Sequence, residues 1–337
     1  GNEYGSLIDF DKTLDWNDLQ LLTNPNLSQG QLTLETIDLP LYQKNLAELI
    51  KVGKVLSQTY EIGVMNPPYM GSGKMDAILG KYVKTKFPHS KSDLFAVFIE
   101  RLGSMIAKHG YYALITQHSW MFLSSFEQLR AILTKHTLIN LAHLGTRAFE
   151  EIGGEVVQTV TFVMRKSSLS EYVGTYERLV NFDSQQKKEI AFTESVKKSN
   201  VDYLYRTNQA NFKKIPGSPI AYWASRQVIS DFIKGEPLTR TSKLVAGGKT
   251  GDNDRYLRIW HEIDVNDVVF HSRDGNYAKW VPYNKGGERR LWYGNNDYVV
   301  WWNNNGYDLK NFRDSKGNVR SRVNSPYLFE EGITWSV

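Results

Sequence analysis

Residues 62–69 read Ile-Gly-Val-Met-Asn-Pro-Pro-Tyr, and this stretch decides the fold that we predict for the chain. The first four residues form a short, largely apolar run of the kind found in buried strands. Pro67 and Pro68 lack a backbone N–H and both fix φ, so the chain can neither continue as a strand nor begin a helix there. We therefore predict a strand that ends at a rigid turn carrying one amide, Asn66, and one phenol ring, Tyr69.

The turn carries groups that suit a planar amine. The side-chain oxygen of Asn66 and the carbonyl oxygen of Pro67 can both accept hydrogen bonds from one exocyclic amino group. Two such bonds hold the amine and turn its nitrogen lone pair out of the ring plane, which makes the nitrogen a better nucleophile. Tyr69 can stack on the ring, and such stacking contributes roughly 1 to 3 kcal/mol per base. The alternative interpretation is a proline-rich turn after a buried strand, without a ligand.

Strands and helices alternate after this turn. The predicted strands cover residues 62–65, 111–116, 138–143 and 156–165, and the predicted helices cover residues 92–108 and 124–135. Alternation of this kind indicates a mostly parallel sheet, in which ligands bind beyond the carboxyl ends of the strands. No helix separates the last two strands, so we expect them to pair antiparallel. The predicted fold class is α/β, with a partial Rossmann-like sheet whose last strand is antiparallel.

The second half of the chain differs in composition and in secondary-structure pattern. Residues 171–220 begin with polar stretches that predict a connector or long loops. Residues 221–337 are rich in Gly, Asn, Asp and Trp, with one helical pattern near residues 222–234 and short strand-like runs such as 298–302. These features indicate an irregular α+β region. We therefore predict three parts, residues 1–170, 171–220 and 221–337.

Composition excludes several classes of protein. With 337 residues, 41% of them hydrophobic, the chain is long enough for two cores. It contains no cysteine, which excludes disulfides and thiolate metal sites and fits the reducing cytoplasm. No run reaches the roughly 18 apolar residues of a membrane helix, so no membrane association is expected. The seven histidines show no metal-ligand spacing, and no metal is expected.

Charge gives weak support for nucleic acid. Lysine and arginine number 41 against 36 acidic residues, a net charge of +5 that fits many enzymes. Basic and aromatic residues are interleaved at residues 289–293, and further basic residues recur at 313–322, a pattern that suits a phosphate backbone with unstacked bases. A solvated face above core aromatics is the alternative interpretation. The candidate DNA-binding residues are Arg289, Arg290, Arg320 and Arg322.

The sequence resembles the gamma-type DNA methyltransferases that act on adenine N6 and carry Asn-Pro-Pro-Tyr. It is most similar to the PglX methyltransferases of BREX phage-defence systems and to type IIG methyltransferases. Beyond the turn, the resemblance lies in residues 90–100, 116–123, 143–158, 250–253 and 280–295. Together these stretches extend the resemblance over nearly the whole chain.

The resemblance implies roles for the residues of the turn. Asn66 and Pro67, stiffened by Pro68, would accept hydrogen bonds from N6 of an adenine that has been flipped out of the duplex. Tyr69 would stack on one face of this base and Phe149 on the other. For Phe149, a loop aromatic that covers the core is an equally good interpretation.

The resemblance also implies S-adenosylmethionine as the cofactor, with Asp93 and Phe95 near its adenine. A helix cap explains Asp93 nearly as well. The family holds the methionine end of the cofactor in a glycine-rich loop upstream of the turn, and the residues before Met65 contain no such loop. Residues 5–8 resemble instead a strand that follows that region. We therefore expect the chain to be a fragment that begins inside the catalytic domain and is inactive alone.

By the same resemblance, residues 1–170 would be the C-terminal part of the catalytic domain and residues 221–337 the start of a target-recognition domain. The predicted function is a site-specific DNA adenine-N6 methyltransferase of a phage-defence or restriction-modification system. Its partners would be double-stranded DNA and other phage-defence proteins. Two alternatives stay open, a protein-glutamine N-methyltransferase and a non-catalytic DNA-binding component of a defence complex.

Overall fold

A computed structural model describes residues 4–10, 14–21, 23, 39–149, 157–270, 279–287, 290 and 294–333. The chain divides into two compact units, residues 1–235 and 236–337, which are described separately. The helices of the first unit are α1 (Trp16–Leu21), α2 (Leu39–Ser57), α3 (Ala77–Lys86), α4 (Leu94–Met105), α5 (Glu127–Leu133), α6 (Gln185–Lys197) and α7 (Arg226–Lys234). Its strands are β1 (Tyr60–Met65), β2 (Ile106–Gln117), β3 (Thr137–Gly145), β4 (Thr159–Arg165), β5 (Val173–Arg178) and β6 (Leu204–Asn208).

The first unit is built on one mixed sheet. Its six strands lie in the order β1-β2-β4-β3-β5-β6. The pairs β1–β2 and β3–β5 are parallel, whereas β4 is antiparallel to both of its neighbours, β2 and β3. The predicted antiparallel pairing of the two strands around residues 145–154 is confirmed, and so is the α/β fold class.

The sheet extends farther than the sequence indicated. Residues 171–220, where we predicted a connector, contain β5, α6 and β6, and β5 pairs with β3 in the same sheet. The prediction was wrong because these strands are short and mostly polar, and only one face of β5 is apolar enough to show a pattern. The first compact unit accordingly ends at Gly235 and not near residue 170.

A second correction concerns residues 5–8, which we expected to be a strand. Residues Gly5–Leu7 form a short 3₁₀ turn, with Leu7 buried. The carbonyl oxygens of Ser6 and Ile8 accept hydrogen bonds from the guanidinium of Arg101 on α4, at 3.4 and 2.7 Å. A buried side chain therefore satisfies backbone groups of this segment that a sheet would otherwise pair.

The two faces of the sheet are covered differently. One face carries buried residues such as Tyr112, Leu114 and Phe162, which form the main core together with residues of α4 and α5. On the other face α6 packs over Ala142 of β3. At the β1 end of that second face, Ile62 and Val64 are 69% and 77% exposed.

The second unit is a small irregular α+β module, as predicted. Strands β7 (Leu257–Ile259), β8 (Trp280–Tyr283) and β9 (Tyr298–Trp301) form an antiparallel sheet in the order β7-β9-β8. The helices are the short α8 (Asn253–Tyr256) and α9 (Asn303–Lys310). The core includes Val281, Val300 and Trp302. Among the described residues of both units, no helix is long and apolar enough to cross a membrane.

Candidate functional site

The Asn-Pro-Pro-Tyr turn lies at the carboxyl end of β1, as the sequence predicted. Met65, the last residue of β1, pairs with Leu114 of the neighbouring parallel strand β2. In the turn the side chain of Asn66 is exposed, Pro67 is buried and Pro68 is exposed. An amide on the surface at the carboxyl edge of the sheet can meet an external ligand, which the proposed role requires.

Tyr69 is held beside this amide by two contacts. Its hydroxyl donates a hydrogen bond to the carbonyl oxygen of Ile115 on β2, at 3.5 Å. Its ring lies edge-on to Phe95, with ring centroids 6.0 Å apart and an interplanar angle of 81°. Burial raises the pKa of the Tyr69 phenol, so the ring is neutral at physiological pH. The ring is partly buried and supported from below by the core.

Asp93 fixes the chain immediately after the turn. It is the N-cap of α4, and its carboxylate accepts hydrogen bonds from the backbone N–H groups of Phe95, at 3.3 Å, and Met70, at 3.0 Å. The N–H of Leu94 donates in return to the carbonyl oxygen of Met70 at 2.9 Å. Asp93 therefore acts as the helix cap considered in the sequence analysis, and it also ties that helix to the turn.

Phe95, which we predicted to lie near the cofactor's adenine, belongs to the main core. Its side chain is fully buried and packs against Tyr69 and Phe126. Phe95 thus supports the ring of Tyr69, and its place near the cofactor's adenine stays a prediction.

Phe149 follows β3 at the same edge of the sheet and is partly buried. Strands β2 and β4 lie between β1 and β3, so the strands that carry Tyr69 and Phe149 are roughly 14 Å apart. Residues 150–156, which continue this loop, lie outside the described residues. The sandwich of Tyr69 and Phe149 around a base stays a prediction.

The predicted basic residues belong to the second unit. Arg289 lies outside the described residues, whereas Arg290, Arg320 and Arg322 are exposed. Neither Arg320 nor Arg322 has an ion-pair partner in the part of the chain that the structure describes. The backbone of Arg322 pairs with that of Lys249, through N···O distances of 2.7 and 3.0 Å. The contact of these exposed side chains with DNA stays a prediction.

The Thr250-Gly251-Asp252-Asn253 stretch supports that basic segment. Gly251 has φ of +80°, and a Cβ atom there would lie 2.8 Å from the backbone of Arg320. Thr250 is buried and its hydroxyl donates to the Asn253 side chain at 2.6 Å. The stretch therefore holds two backbone segments in close contact, a role that its sequence did not reveal.

Sequence reasoning also missed a chain of polar rings at the carboxyl edge. His118 follows β2, and its Nδ1 lies 2.7 Å from Nε2 of His143 on β3. Nδ1 of His143 lies 3.0 Å from the hydroxyl of Tyr222. Burial lowers the pKa of both imidazoles, that of His143 to about 3. Both histidines lie within the stretches that carry the family resemblance, 116–123 and 143–158. This position was the sequence feature that could have pointed to them.

No cluster of metal-ligating side chains occurs among the described residues. The turn carries the groups that could hold the amine that is to be methylated. Among the described residues, we assign no residue to the methionine end of S-adenosylmethionine. The described site therefore contains the residues that we predict to contact an amine and its ring.

Comparisons with known proteins show what the chain is similar to. Residues 9–149 match the family model described as Eco57I restriction-modification methylase. The adenine-specific methyltransferase PglX of Lacticaseibacillus casei (strain Zhang) is 49% identical over 343 residues, which cover 100% of this chain and 28% of that protein. The adenine-specific methyltransferase BrxX of Escherichia coli O9:H4 (strain HS) is 40% identical, covering 87% of this chain and 23% of that protein.

The resemblance inferred from the sequence is thereby confirmed, because the chain is similar to two adenine-specific methyltransferases, PglX and BrxX. The chain spans about a quarter of the length of these curated relatives. Among solved structures, a nuclease-deletion mutant of the Type ISP restriction-modification enzyme LlaGI is 14% identical, with a TM-score of 0.38 over 56% of this chain and 20% of that chain. The similarity to adenine-specific methyltransferases rests on the sequence relatives alone.

Proposed function

We propose that this chain is the base-holding part of an S-adenosylmethionine-dependent DNA adenine-N6 methyltransferase, together with the start of its target-recognition region. The observation that carries the proposal is the exposed amide of Asn66 beside two prolines at the carboxyl end of β1. The similarity to two adenine-specific methyltransferases supports it. The whole protein would act on double-stranded DNA in the cytoplasm, as part of a restriction-modification or phage-defence system with further protein partners.

The proposed chemistry needs positioning more than proton transfer. Asn66 Oδ1 and the Pro67 carbonyl oxygen accept hydrogen bonds from the two N6 hydrogens of a flipped adenine. These bonds hold the N6 lone pair out of the ring plane, where it can attack a methyl carbon. S-Adenosylmethionine, when bound, supplies that methyl group on a sulfonium. Orientation of two reactants at short distance is a large source of rate acceleration, so no general base among the described residues is required.

The ring of the target base would be held by Tyr69. Because Tyr69 is fixed by Ile115 and Phe95, its face is pre-oriented before the base arrives. Flipping the base out of the duplex costs a few kcal/mol, and stacking on an aromatic ring returns part of this cost. Phe149 is proposed to cover the opposite face of the base.

The second unit is proposed to bind the phosphate backbone through Arg290, Arg320 and Arg322. Arg289 keeps its predicted role, although it lies outside the described residues. Each phosphate contact that is lost should lower the salt dependence of DNA affinity by about one unit of log-log slope. The change of Arg322 to Ala tests this, with Arg240, already paired with Glu236 at 2.5 Å, as the matched arginine control.

The main experiment compares Asn66→Ala with Asn140→Ala, a change of an exposed asparagine on β3 that has no role in the turn. The full-length natural protein is assayed for N6-methyladenine in DNA and for DNA binding. Asn66→Ala should abolish methylation and spare binding, whereas Asn140→Ala should change neither.

Full activity of the Asn66→Ala protein would remove the proposed role of the amide. Methylation of a peptide glutamine with no methylation of DNA would favour the protein-glutamine methyltransferase. DNA binding without any methylation by the wild-type protein would favour the non-catalytic component.

A further inference from the structure

Aromatic side chains cluster at the carboxyl edge of the main sheet, beyond the Asn-Pro-Pro-Tyr turn. We call the group His118, Phe122, His143 and Trp223 the aromatic patch. We propose that Trp223 in this patch is a second DNA contact, which stacks on an unpaired base near the target adenine. The inference rests on the proposed function in one respect only, that the macromolecular ligand of this edge is DNA.

The aromatic patch lies on the same edge and face of the sheet as the turn. Thr116 of β2 and His143 of β3 both pair with Val160 of β4, the strand between them. Met65 of β1 pairs with Leu114, which is two residues before Thr116 and therefore on the same face. Strands are about 4.8 Å apart, so the patch lies on the order of 10 to 15 Å from the turn. That is a span of a few base steps in DNA.

Trp223 presents an open ring at this position. Its side chain is 39% exposed, although tryptophan is the largest apolar side chain and is usually well covered. The ring lies nearly parallel to that of His143, with centroids 6.5 Å apart and an interplanar angle of 28°. Phe122 contacts it at 5.5 Å. The protein therefore supports the ring from within and leaves part of it open.

The neighbouring residue, Tyr222, keeps Trp223 in place. Tyr222 is 3% exposed, stacks on Tyr176 with an interplanar angle of 7°, and bonds His143 through its hydroxyl. Its ring is perpendicular to that of Trp223, at 4.8 Å. The backbone is pinned two residues earlier, where the N–H of Ile220 donates to the Met121 carbonyl oxygen at 2.9 Å. An aromatic ring that is already ordered loses little entropy when it binds a ligand.

Charge favours DNA as the occupant over an apolar protein surface. The guanidinium of Arg178, at the end of β5, lies 5.7 Å from the centre of the Trp223 ring. Arg178 has no ion-pair partner within the described ranges. Arg147 is exposed at the same edge of the sheet, after β3. A ring for a base beside cations for phosphates is the combination found where proteins bind unstacked nucleotides.

The two imidazoles behind the ring do not add charge. Burial lowers the pKa of His143 first, and the nearby His118, Arg178 and Lys188 lower it further, to about 3. Burial also lowers the pKa of His118. Both imidazoles of the patch are therefore neutral at physiological pH, and its attraction for phosphate comes from the arginines.

The test uses a labelled DNA duplex with one bulged adenine and the same duplex fully paired, both titrated with the protein at fixed salt. The variants are Trp223→Ala, Trp223→Phe and, as a control, Leu123→Ala, which removes another exposed apolar side chain of this edge (54% exposed). Stacking on one base corresponds to about a 5- to 150-fold change in affinity. We expect Trp223→Ala to lose that much on the bulged duplex and little on the paired one. Trp223→Phe should keep most of the affinity, and Leu123→Ala nearly all of it.

Equal affinities of Trp223→Ala and wild type would overturn the inference, and so would equal losses on both duplexes. If Trp223→Ala fails to fold, the wild-type protein can be photocrosslinked to the bulged duplex carrying 5-iodouracil next to the bulge. Crosslinks that map to Trp223 support the inference, and crosslinks only elsewhere overturn it. Asn66→Ala separates the two proposals, because it should lose methylation and still bind the bulged duplex. A protein that methylates adenine but is indifferent to Trp223→Ala would sink this inference alone.

Discussion

Asp93 and Met70 are joined by a hydrogen bond of 3.0 Å, donated by the Met70 N–H to the Asp93 carboxylate. The bond connects the first turn of α4 to the residue that follows Tyr69. The same carboxylate caps the helix through the N–H of Phe95. One side chain thus sets both the start of a core helix and the path of the chain out of the candidate active site.

Replacement of Asp93 by alanine should therefore reduce both stability and methylation. Loss of an N-cap costs about 0.5 to 2 kcal/mol of unfolding free energy. The control is Asp76→Ala, because Asp76 caps α3 through Ile78 and Leu79 but does not touch the turn. It should lose similar stability while methylation at saturating substrate is unchanged. Thermal unfolding and initial rates measure the two effects, and equal rates for both variants would contradict the positioning role of Asp93.

The buried Arg101 should be a major source of stability for the N-terminal segment. Its guanidinium donates to the carbonyl oxygens of Ile8 and Leu56, at 2.7 and 3.0 Å, and contacts the Asp9 carboxylate at 3.0 Å. Arg101→Met should cost about 2 to 3 kcal/mol, because buried acceptors lose their donors. Asp9→Asn should cost less than about 1 kcal/mol, since that carboxylate is largely exposed. Denaturant unfolding of both variants checks this, and similar losses would argue against the carbonyl contacts as the main contribution.

Glu177 predicts a pH dependence of stability. Its side chain is 5% exposed, and burial raises its pKa from 4.5 to about 7. A carboxyl group with a raised pKa in the folded state binds protons more tightly there than in the unfolded state. Its favourable contribution is therefore present at low pH and is lost as the pH rises from about 4.5 to 7, by on the order of 3 kcal/mol.

The measurement is the free energy of unfolding of wild type and Glu177→Gln between pH 4.5 and 8. The difference isolates Glu177 from His143, whose lowered pKa has the opposite sign and removes stability as the pH falls below about 6.5. Wild type should lose stability relative to Glu177→Gln as the pH rises through this window. A constant difference between the two proteins would show that the carboxyl group titrates normally.

Gly251 should be intolerant of any side chain. With φ of +80° and the Arg320 backbone 2.8 Å from the position of a Cβ atom, Gly251→Ala should cost about 2 kcal/mol or more. Gly247→Ala is the matched control, since no atom lies within 4 Å of its Cβ position. Unfolding of the second unit and DNA affinity should both suffer only in the first variant. If Gly251→Ala lowers stability but leaves DNA affinity normal, the basic segment that contacts Gly251 is not part of the DNA-binding surface.

The sequence predicted the fold best where the residue types themselves restrict the path of the backbone. The two prolines placed the end of β1 to the residue, and the missing helix between residues 145 and 154 gave the antiparallel pairing of β3 and β4. Strands β5 and β6 were not predicted because they are short and polar. Their pairing is decided by the neighbouring strands and not by their own sequence pattern. The contacts between His118, His143 and Tyr222 join residues 25 and 79 positions apart, and no periodicity reports such contacts.

β1 is an edge strand of the described sheet, and the branched apolar side chains of Ile62 and Val64 stand out from it. Unpaired backbone groups beside such side chains form a template on which a further strand can add. In isolation the chain should self-associate with rising concentration, and a lysine in place of Val64 should suppress that association. Whether the chain self-associates in solution therefore depends on what covers β1, which is only six residues long.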